Sequence, residues 1–518
     1  MKKQFSHIFS LFLALTVFCT LLTGCGVANA ADSNPVNLTV GTMYSLACAY
    51  DPTLSSVTKP VMPYIYDRLF LMDSETGEIR GNVAESWEYT DDLTLQVTLR
   101  DDVYFSNGDK LEADDVLFSL ERYLVNTTHL TTSNIVNINF DNCVADGINL
   151  TIAFFETDPV FISRVANSYI FSILDKDYVE KVGEEEATLY SPIGSGPYVV
   201  VDSVPDSYIT LVRNDAYWGD APGAETITYK YYAEETTMMI DFENGDIDVA
   251  LNINDANRAR IEAGEAAGTA KVISKSEYLD FSLASYVEAF KDPAVREAFA
   301  HAINYEAIVE AAYGSLGRPM TSTLFDSMAY YEDLSDDGIG PYSYDPDLSR
   351  QLLADAGYSD GDITIRTVIV NSPTNIKVAE ALQANLADVG INLEIEAYDV
   401  ATAIGYFVSG DLDVSLAEMS SVCFDPALVY SSSRSNSTNL AVRREEEDIN
   451  EYLTIGATSM DEAARGEAYK NAQEWFKETC WLIPVCEQYA CVAYNDKIDY
   501  LPVREYLSPD FANASYNG

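Results

Sequence analysis

The sequence predicts an α/β protein of two or three domains. Its 518 residues exceed the usual size of one domain, and 47% of them are hydrophobic, which is enough for large packed cores. Segments in which apolar and polar residues alternate are interleaved with segments of helical periodicity. Because strand–helix–strand alternation is typical of α/β proteins, we expect lobes whose strands pair mostly in parallel.

The first clear elements are a strand and a helix. Residues Leu93–Leu99 read Leu-Thr-Leu-Gln-Val-Thr-Leu, an alternation typical of a half-buried strand. Ala113-Asp114-Asp115 then opens a stretch of helical periodicity that runs to Tyr123. The two acids lie at the positive end of this predicted helix, where they stabilise it.

Two aspartate–proline pairs mark the starts of two further helices. Asp292 fits the N-cap and Pro293 the first position of a helix that continues over residues 294–312. Asp345-Pro346 repeats this arrangement for a helix that ends at Gly357. The chain then predicts a strand, a helix and a strand at Ile363–Val370, Lys377–Val389 and Ile391–Ala397, with Gly390 ending the helix.

The N-terminus has the three parts of a secretory signal. Lys2 and Lys3 are followed by a mostly apolar run over residues 8–22, which is shorter than a membrane-spanning helix needs. Leu-Thr-Gly-Cys, ending at Cys25, resembles a bacterial lipobox, which implies that residues 1–24 are removed and that Cys25 carries a lipid. A rival cleavage site, Ala28-Asn29-Ala30, would release the protein without an anchor.

Composition excludes some classes of partner and cofactor. The net charge of −51 argues against a nucleic-acid partner, because phosphate neutralisation needs clustered Lys and Arg. His129 and His301 are the two histidines after Cys25, so we expect no histidine-rich metal site. We also expect no cofactor. The acidic stretch 333–345 lacks the Glu that a calcium loop needs at its twelfth position. Six cysteines follow Cys25, and their pairing is left open.

Two glycine motifs look functional but fit turns better. Residues Gly357–Gly361 match G-x-S-x-G, the nucleophile elbow of hydrolases, but a helix precedes them and a strand follows, which is the reverse of what an elbow needs. Gly194-Ser195-Gly196 invites comparison with a phosphate cradle, but we expect a tight turn where two chain segments approach closely. We expect the nearby Tyr198 and Trp218 to be core aromatics.

A long stretch of the chain resembles one protein family. Residues 84–123 read AESWEYTDDLTLQVTLRDDVYFSNGDKLEADDVLFSLERY. This segment closely resembles the signature of the family 5 extracellular solute-binding proteins, the oligopeptide, dipeptide and nickel-chelate binding proteins of ABC importers. Similar matches follow at Pro192–Tyr198, Asn214–Gly219, Gly245–Asp248, Lys291–Tyr305 and Tyr344–Gly361. The resemblance therefore covers most of the chain after the signal.

The resemblance implies a two-lobed fold of the type II periplasmic-binding kind, with an extra domain inserted in the first lobe. The lobes of such proteins close over a ligand about a hinge. The first lobe would comprise residues 35–66, 195–279 and 477–518, and the second lobe residues 280–476. The extra domain would be residues 67–194, after a signal over 1–24 and a lipidated tether over 25–34.

The resemblance also implies which residues bind ligand. Four segments line the cleft in relatives, and they correspond here to about 41–51, 279–286, 371–375 and 417–426. The candidate ligand residues within them are Tyr44, Tyr50, Phe281, Asn371, Met419, Ser421 and Asp425. Two positions depart from peptide-binding relatives, because Val422 replaces an Asp that pairs with the ligand amine and Asn371 replaces an Arg that pairs with the ligand carboxylate.

These departures leave the ligand open. The leading hypothesis is a monomeric, membrane-tethered receptor that is not an enzyme, captures peptides and delivers them to ABC permease subunits. A neutral solute such as an oligosaccharide is the alternative in the same role, and a nickel chelate fits least. An exported hydrolase that uses a carboxylate pair is the alternative of another class, supported only by the 82 acidic residues. A sensory or adhesive surface protein that keeps the fold without transport is a further alternative.

Overall fold

The computed structural model describes residues 36–53, 59–73, 77–125, 137–166, 171–420, 425–430, 448–503 and 509–517. Its strands are β1 (Val36–Thr42), β2 (Phe70–Met72), β3 (Ile79–Gly81), β4 (Ala84–Asp91), β5 (Thr94–Leu99), β6 (Val144–Asp146), β7 (Asn149–Ala153), β8 (Tyr198–Val204), β9 (Tyr208–Arg213), β10 (Ala224–Tyr231), β11 (Val249–Ala250), β12 (Thr269–Leu283), β13 (Gly317–Pro319), β14 (Ile363–Val370), β15 (Ile391–Tyr398), β16 (Val414–Ser420), β17 (Leu482–Tyr494), β18 (Ile498–Tyr500) and β19 (Ser515–Tyr516).

The helices lie between and around these strands. They are α1 (Met62–Ile65), α2 (Ala113–Val125), α3 (Phe161–Ala166), α4 (Lys176–Val182), α5 (Glu235–Asn244), α6 (Asp255–Glu262), α7 (Pro293–Ala302), α8 (Tyr305–Tyr313), α9 (Pro346–Asp355), α10 (Pro373–Asp388), α11 (Val400–Ser409), α12 (Pro426–Val429), α13 (Asp448–Thr458) and α14 (Glu462–Thr479). Within the described ranges, no helix is both long enough and apolar enough to cross a bilayer.

One large mixed sheet runs through the molecule. Its strand order is β15-β14-β16-β12-β17-β11-β1-β10-β9-β8, with β13 also paired to β17. Parallel pairing is confined to two groups, β10-β1-β11 and β15-β14-β16, and the other strand pairs of this sheet are antiparallel. The expectation of mostly parallel pairing was therefore wrong. The cause is that long antiparallel strands join the two parallel groups, a connection that local periodicity does not reveal.

Separate hydrophobic cores form at the two ends of this sheet. One core includes Leu38, Val40 and Tyr229 around β1 and β10, and it continues into the extra domain. A second core includes Phe299 and Leu382 and packs against β14, β15 and β16. Two cores on one sheet are what the predicted two-lobed α/β fold requires, so that expectation is confirmed.

The extra domain has its own four-stranded antiparallel sheet. The strand order is β4-β5-β7-β6, and α2 packs against β6 and β7. The strand predicted over 93–99 is β5, and the helix predicted from Ala113 is α2, so both predictions are confirmed. Because one core runs through this domain and the first lobe, the limits between them stay a prediction.

The aspartate–proline starts are confirmed, but one predicted helix is two helices. The Asp292 side chain accepts a hydrogen bond from the Ala294 amide, and Pro293 is the first residue of α7. The chain leaves the helix at Ile303, and the Asn304 side chain then caps α8 through the Ala307 amide at 3.0 Å. A competing N-cap inside the apolar pattern thus breaks the predicted helix 294–312.

The region after Asp345 follows its prediction closely. The Asp345 side chain caps α9, and β14 and β15 occupy the expected ranges. Gly357 and Gly361 both have positive φ, 89° and 84°, and form the turn between α9 and β14. The G-x-S-x-G match is therefore a helix end followed by a turn, as expected. The next helix, α10, begins at Pro373, four residues before its predicted start at Lys377, because Ser372 is the cap.

The Gly194–Gly196 segment is a close approach between two chain segments. The Gly196 amide donates to the Ile65 carbonyl at 2.9 Å, and the Gly194 carbonyl accepts from the Ser106 amide at 2.9 Å. A Cβ on Gly194 would overlap the Ile65 carbonyl oxygen. Beyond this turn, Tyr198 is a buried core residue whose hydroxyl donates to the Ala224 carbonyl at 3.0 Å. Trp218 is partly buried against the same core, so the expectation of core aromatics holds.

We predict that Gly194→Ala destabilises the fold strongly. The added methyl group overlaps backbone atoms, which cannot rotate away as a side chain does. The expected loss is about 2 kcal/mol or more of the free energy of unfolding, measured by denaturant titration. Gly405→Ala is the control, because Gly405 lies in α11 with open space around it. That variant should be unchanged or more stable by about 0.5–1 kcal/mol, and equal losses in both variants would contradict the prediction.

Candidate functional site

The two lobes are joined by β12 and β17, which run antiparallel through both. Residues 269–274 of β12 pair with residues 489–494 of β17, and residues 277–282 pair with residues 482–488. The register shifts between Ser274 and Glu277, so the ladder is interrupted there. On the first-lobe side β17 pairs with β11, and on the second-lobe side β12 pairs with β16. The interruption therefore lies where the chain passes from one lobe to the other.

A cavity of about 640 Å³ adjoins this interruption of the β12–β17 ladder. Its volume lies within the roughly 300–1,000 Å³ of small-ligand sites. The first lobe contributes residues 252–256, and the second lobe contributes parts of α8 and α10 and the loops beside them. The strands that the lobes share contribute Glu277 of β12 and residues 488–491 of β17. The cavity thus has walls from both lobes, so a bound solute would contact both.

The first-lobe wall is a loop held by backbone and side-chain hydrogen bonds. Asn252 has a positive φ of 56°, which turns the chain after β11. The Ile253 amide donates to the Cys491 carbonyl of β17 at 3.0 Å. Asn254 caps α6 by accepting from the Asn257 amide at 2.9 Å. This loop therefore presents amide side chains on a rigid support.

The second-lobe wall includes the start of α10. The Ser372 hydroxyl oxygen caps this helix by accepting from the Asn375 amide at 3.1 Å. Thr374 and Lys377 follow in the first turns and line the cavity, and Lys377 is exposed. From the crossing strand, the buried Gln488 donates to the Tyr313 hydroxyl at 3.4 Å. Burial raises the pKa of the Cys491 thiol to about 12, so this lining group adds no charge.

A polar contact joins the two lobes beside the cavity. Asp255, the first residue of α6, accepts from the Ser315 hydroxyl and from Arg258 Nε, the latter at 2.9 Å. Ser315 follows α8, so this contact connects the first lobe to the second. Burial opposes ionisation of Asp255, but the hydrogen bonds from Ser315 and Arg258 outweigh it and hold the pKa of Asp255 below its usual range. Gly314, at φ 57°, brings the turn close enough for this contact.

Four of the predicted ligand residues lie in the three predicted segments other than 417–426, and none of them lines this cavity. Tyr44 follows β1 and is 38% exposed, whereas Tyr50 is buried. Phe281 has no exposed surface and packs into the second core. Asn371 is exposed at the end of β14, where its amide donates to the Tyr398 carbonyl at 2.8 Å. Their ligand-binding roles stay predictions.

The predicted segment 417–426 is described only in part. Met419 lies in β16 opposite Tyr278 of β12. Asp425 is buried and forms an ion pair with Arg465 at 2.5 Å, so its carboxylate already has a partner. Ser421, Val422, Cys423 and Cys25, the predicted site of lipid attachment, lie outside the described residues.

The lining residues were mostly missed by sequence reasoning. As far as the structure describes the four predicted segments, the 371–375 loop is the one that contributes, through Ser372 and Thr374. Asn252, Glu277 and Gln488 carry no short motif and meet only in the fold. Lys377 offered one signal, because a cation near a helix N-terminus opposes the helix dipole and suggests a role other than helix stability.

A two-lobed α/β fold with a cavity between lobes that share two strands is the architecture of solute-binding proteins. The family model of the bacterial extracellular solute-binding proteins, family 5 (middle region), matches residues 78–440. The chain belongs to this family, whose members are substrate-binding transport proteins of ABC importers and are extracytoplasmic. The expectation drawn from the motifs of residues 84–123 is thereby confirmed.

Relatives of this chain have different ligands. Heme-binding protein A of Haemophilus influenzae is 26% identical over 485 residues, covering 88% of this chain and 86% of that protein. The glutathione-binding protein GsiB of Escherichia coli is 25% identical over 503 residues, covering 92% and 93%. Among solved structures, the fold is similar to that of a dipeptide-binding protein from Pseudoalteromonas sp. SM9913 in complex with Met-Leu, with a TM-score of 0.77. The two sequences are 21% identical, and the match covers 93% of this chain and 100% of that one.

We predict that the Asp255 contact stabilises the protein only while the carboxylate is ionised. A carboxyl group with a lowered pKa contributes stability above its unfolded pKa of about 3.9, and this contribution is lost as the pH falls through the folded value. Asp255→Asn should therefore lower the melting midpoint at pH 7, which corresponds to a loss of about 0.3–1 kcal/mol in the free energy of unfolding. The two midpoints should begin to converge as the pH falls below about 3.9, and they should meet once the pH is below the folded pKa of Asp255.

The control is Asp92→Asn, because Asp92 is an exposed residue of the β4–β5 turn. That variant should match the wild-type protein at every pH. A difference between Asp255→Asn and wild type that stays constant from pH 7 to pH 3 would contradict an electrostatic role for Asp255.

Proposed function

We propose that this chain is a substrate-binding lipoprotein that captures extracellular peptides by lobe closure and delivers them to ABC permease subunits. The observation that carries the proposal is the cavity between two lobes that share the strands β12 and β17. Closure about such strands changes the population of open and closed forms and involves no chemistry. The proposal is therefore a receptor without enzymatic activity, and we expect it to act as a monomer.

Peptide is the proposed solute because of the polar character of the cavity. Asn252, Asn254 and Gln488 are amides that both donate and accept, as peptide backbone groups require. The Met-Leu complex of a structural relative and the glutathione of a sequence relative are consistent with this choice. An oligosaccharide also matches amide side chains, so it remains the second candidate.

The domain division that we propose follows the one deduced from the family motifs. The first lobe is residues 35–66, 195–279 and 477–518, the extra domain is residues 67–194, and the second lobe is residues 280–476. The two cores at opposite ends of the sheet support two lobes. The strands β12 and β17 belong to both.

We predict that short peptides raise the melting midpoint of the purified protein. A ligand that binds only the folded state stabilises it by about 2.7 kcal/mol at 100 times its Kd. The measurement is a thermal-shift screen of peptides of about two to five residues beside neutral oligosaccharides. A clear shift with one sugar and none with any peptide would reject the peptide proposal. Mass spectrometry of the recovered ligand checks the receptor role, because a cleaved ligand would indicate a hydrolase.

The lipid anchor is proposed at Cys25, with removal of residues 1–24 and a short tether over 25–34. The proposal rests on the Leu-Thr-Gly-Cys motif at the end of the apolar run. Burial of acyl methylenes, about 0.8 kcal/mol each, would hold the protein on the outer face of the cell membrane.

We predict that Cys25→Ser abolishes lipid attachment. The wild-type protein should incorporate labelled palmitate and sediment with membranes, and the variant should do neither, because the acceptor thiol is absent. Cys19→Ser is the matched control, since Cys19 lies inside the apolar run and should be dispensable. Equal labelling of Cys25→Ser and wild type, or a mature N-terminus after Ala30, would refute the anchor.

A further inference from the structure

The cavity between the lobes contains a cation without a counterion. Among its described lining residues Lys377 is the one Lys or Arg, and its ammonium group forms no ion pair and no hydrogen bond with any residue that the structure describes. Other cations nearby are paired: Arg258 binds Asp255 and Glu262, and Arg318 binds Asp326 and Glu487. In a chain of net charge −51, a lysine that faces a cavity and has no acid on it is unusual.

Two further features of α10 near this cation favour an anion. Lys377 lies in the second turn of α10, a helix of 16 residues whose N-terminal end faces the same cavity. The Thr374 hydroxyl, one turn earlier, also lines the cavity and forms no hydrogen bond within the described part of the chain. The positive end of a helix favours an anion, and a hydroxyl can donate to one. These groups add to the charge of Lys377 and do not oppose it.

Closure of the lobes would leave this ammonium group in a less polar environment. A charge that loses water without gaining a partner costs several kcal/mol, so a closed form favours an anion beside Lys377. Glu277 and Glu310 also line the cavity, and the solute itself is the other source of an anion. Asp255 already has its own partners in Arg258 and Ser315.

We propose that Lys377 binds a carboxylate of the solute, so that this receptor selects solutes with a free carboxylate group. This inference rests on the proposed binding function of the same cavity. For a peptide the group is its C-terminal carboxylate, and for a saccharide it is a uronate. The lysine would supply the orienting charge that the position of Asn371 lacks, from a different place on the neighbouring helix.

The experiment compares each ligand with a partner that lacks the charge. Met-Leu and Ala-Ala-Ala are titrated as free acids and as C-terminal amides, against the wild-type protein and Lys377→Gln, by calorimetry. A charge-assisted hydrogen bond corresponds to about tenfold or more in affinity. The wild-type protein should prefer the acid by about that factor. Lys377→Gln should bind acid and amide alike, at the wild-type affinity for the amide.

A matched control separates this role from general charge effects. Lys181→Gln removes an exposed lysine of α4 in the extra domain, far along the chain from the cavity, and should keep the preference for the acid. Equal affinity of the wild-type protein for acid and amide overturns the inference. Equal weakening of both forms by Lys377→Gln also overturns it, because Lys377 would then pair with Glu277 or Glu310 on closure.

A saccharide arm distinguishes failure of this inference from failure of the peptide proposal. A uronate-containing disaccharide and its neutral counterpart are titrated in the same way. Preference for the uronate that depends on Lys377, with no peptide binding, rejects peptides and retains the carboxylate. Binding of the neutral sugar alone rejects both the peptide proposal and the role of Lys377 in binding a carboxylate. The same two claims are rejected if none of the tested carboxylate compounds binds the wild-type protein.

Discussion

The pairing of β12 with β17 is the interaction on which the rest of the molecule depends. These strands hold both parallel groups of strands in one sheet, and each lobe packs its own core against one half of them. Between Ser274 and Glu277 the ladder is interrupted by a shift of register. Backbone dihedrals can change at such a point without breaking ladder hydrogen bonds, so a hinge there costs little.

The position of this interruption also determines what lies in the cleft. Residues 488–491 of β17 form the floor of the cavity, so both walls are anchored to the strands about which they would move. The first-lobe wall is tied to β17 through the Ile253 amide, and the second-lobe wall is tied through Gln488 and Tyr313. The hydrogen bond from Ser315 to Asp255 then joins the two walls directly.

The sequence predicts elements well where a cap or a periodic pattern lies within a few residues. Asp292 and Asp345 cap helices as expected, and β14 matches its predicted range. It predicts poorly what depends on distant pairing. Nothing local indicates that β12 and β17 meet, and the cavity combines Asn252, Lys377 and Gln488, which are more than 100 residues apart in sequence. The two lobes could still be predicted from the family motifs, because proteins that share these motifs share that strand pairing.

The overall charge and the cavity charge act on a solute over different distances. A net charge of −51 repels anions, but ions screen surface charges beyond about 8–10 Å at physiological salt. Inside the cavity Lys377 is the near charge, and its field is screened less. A solute that is an anion overall would meet the acidic surface before it reached this lysine. A zwitterion has no net charge to be repelled and still offers a carboxylate to Lys377, so the two levels of charge together favour a zwitterionic peptide over a simple anion.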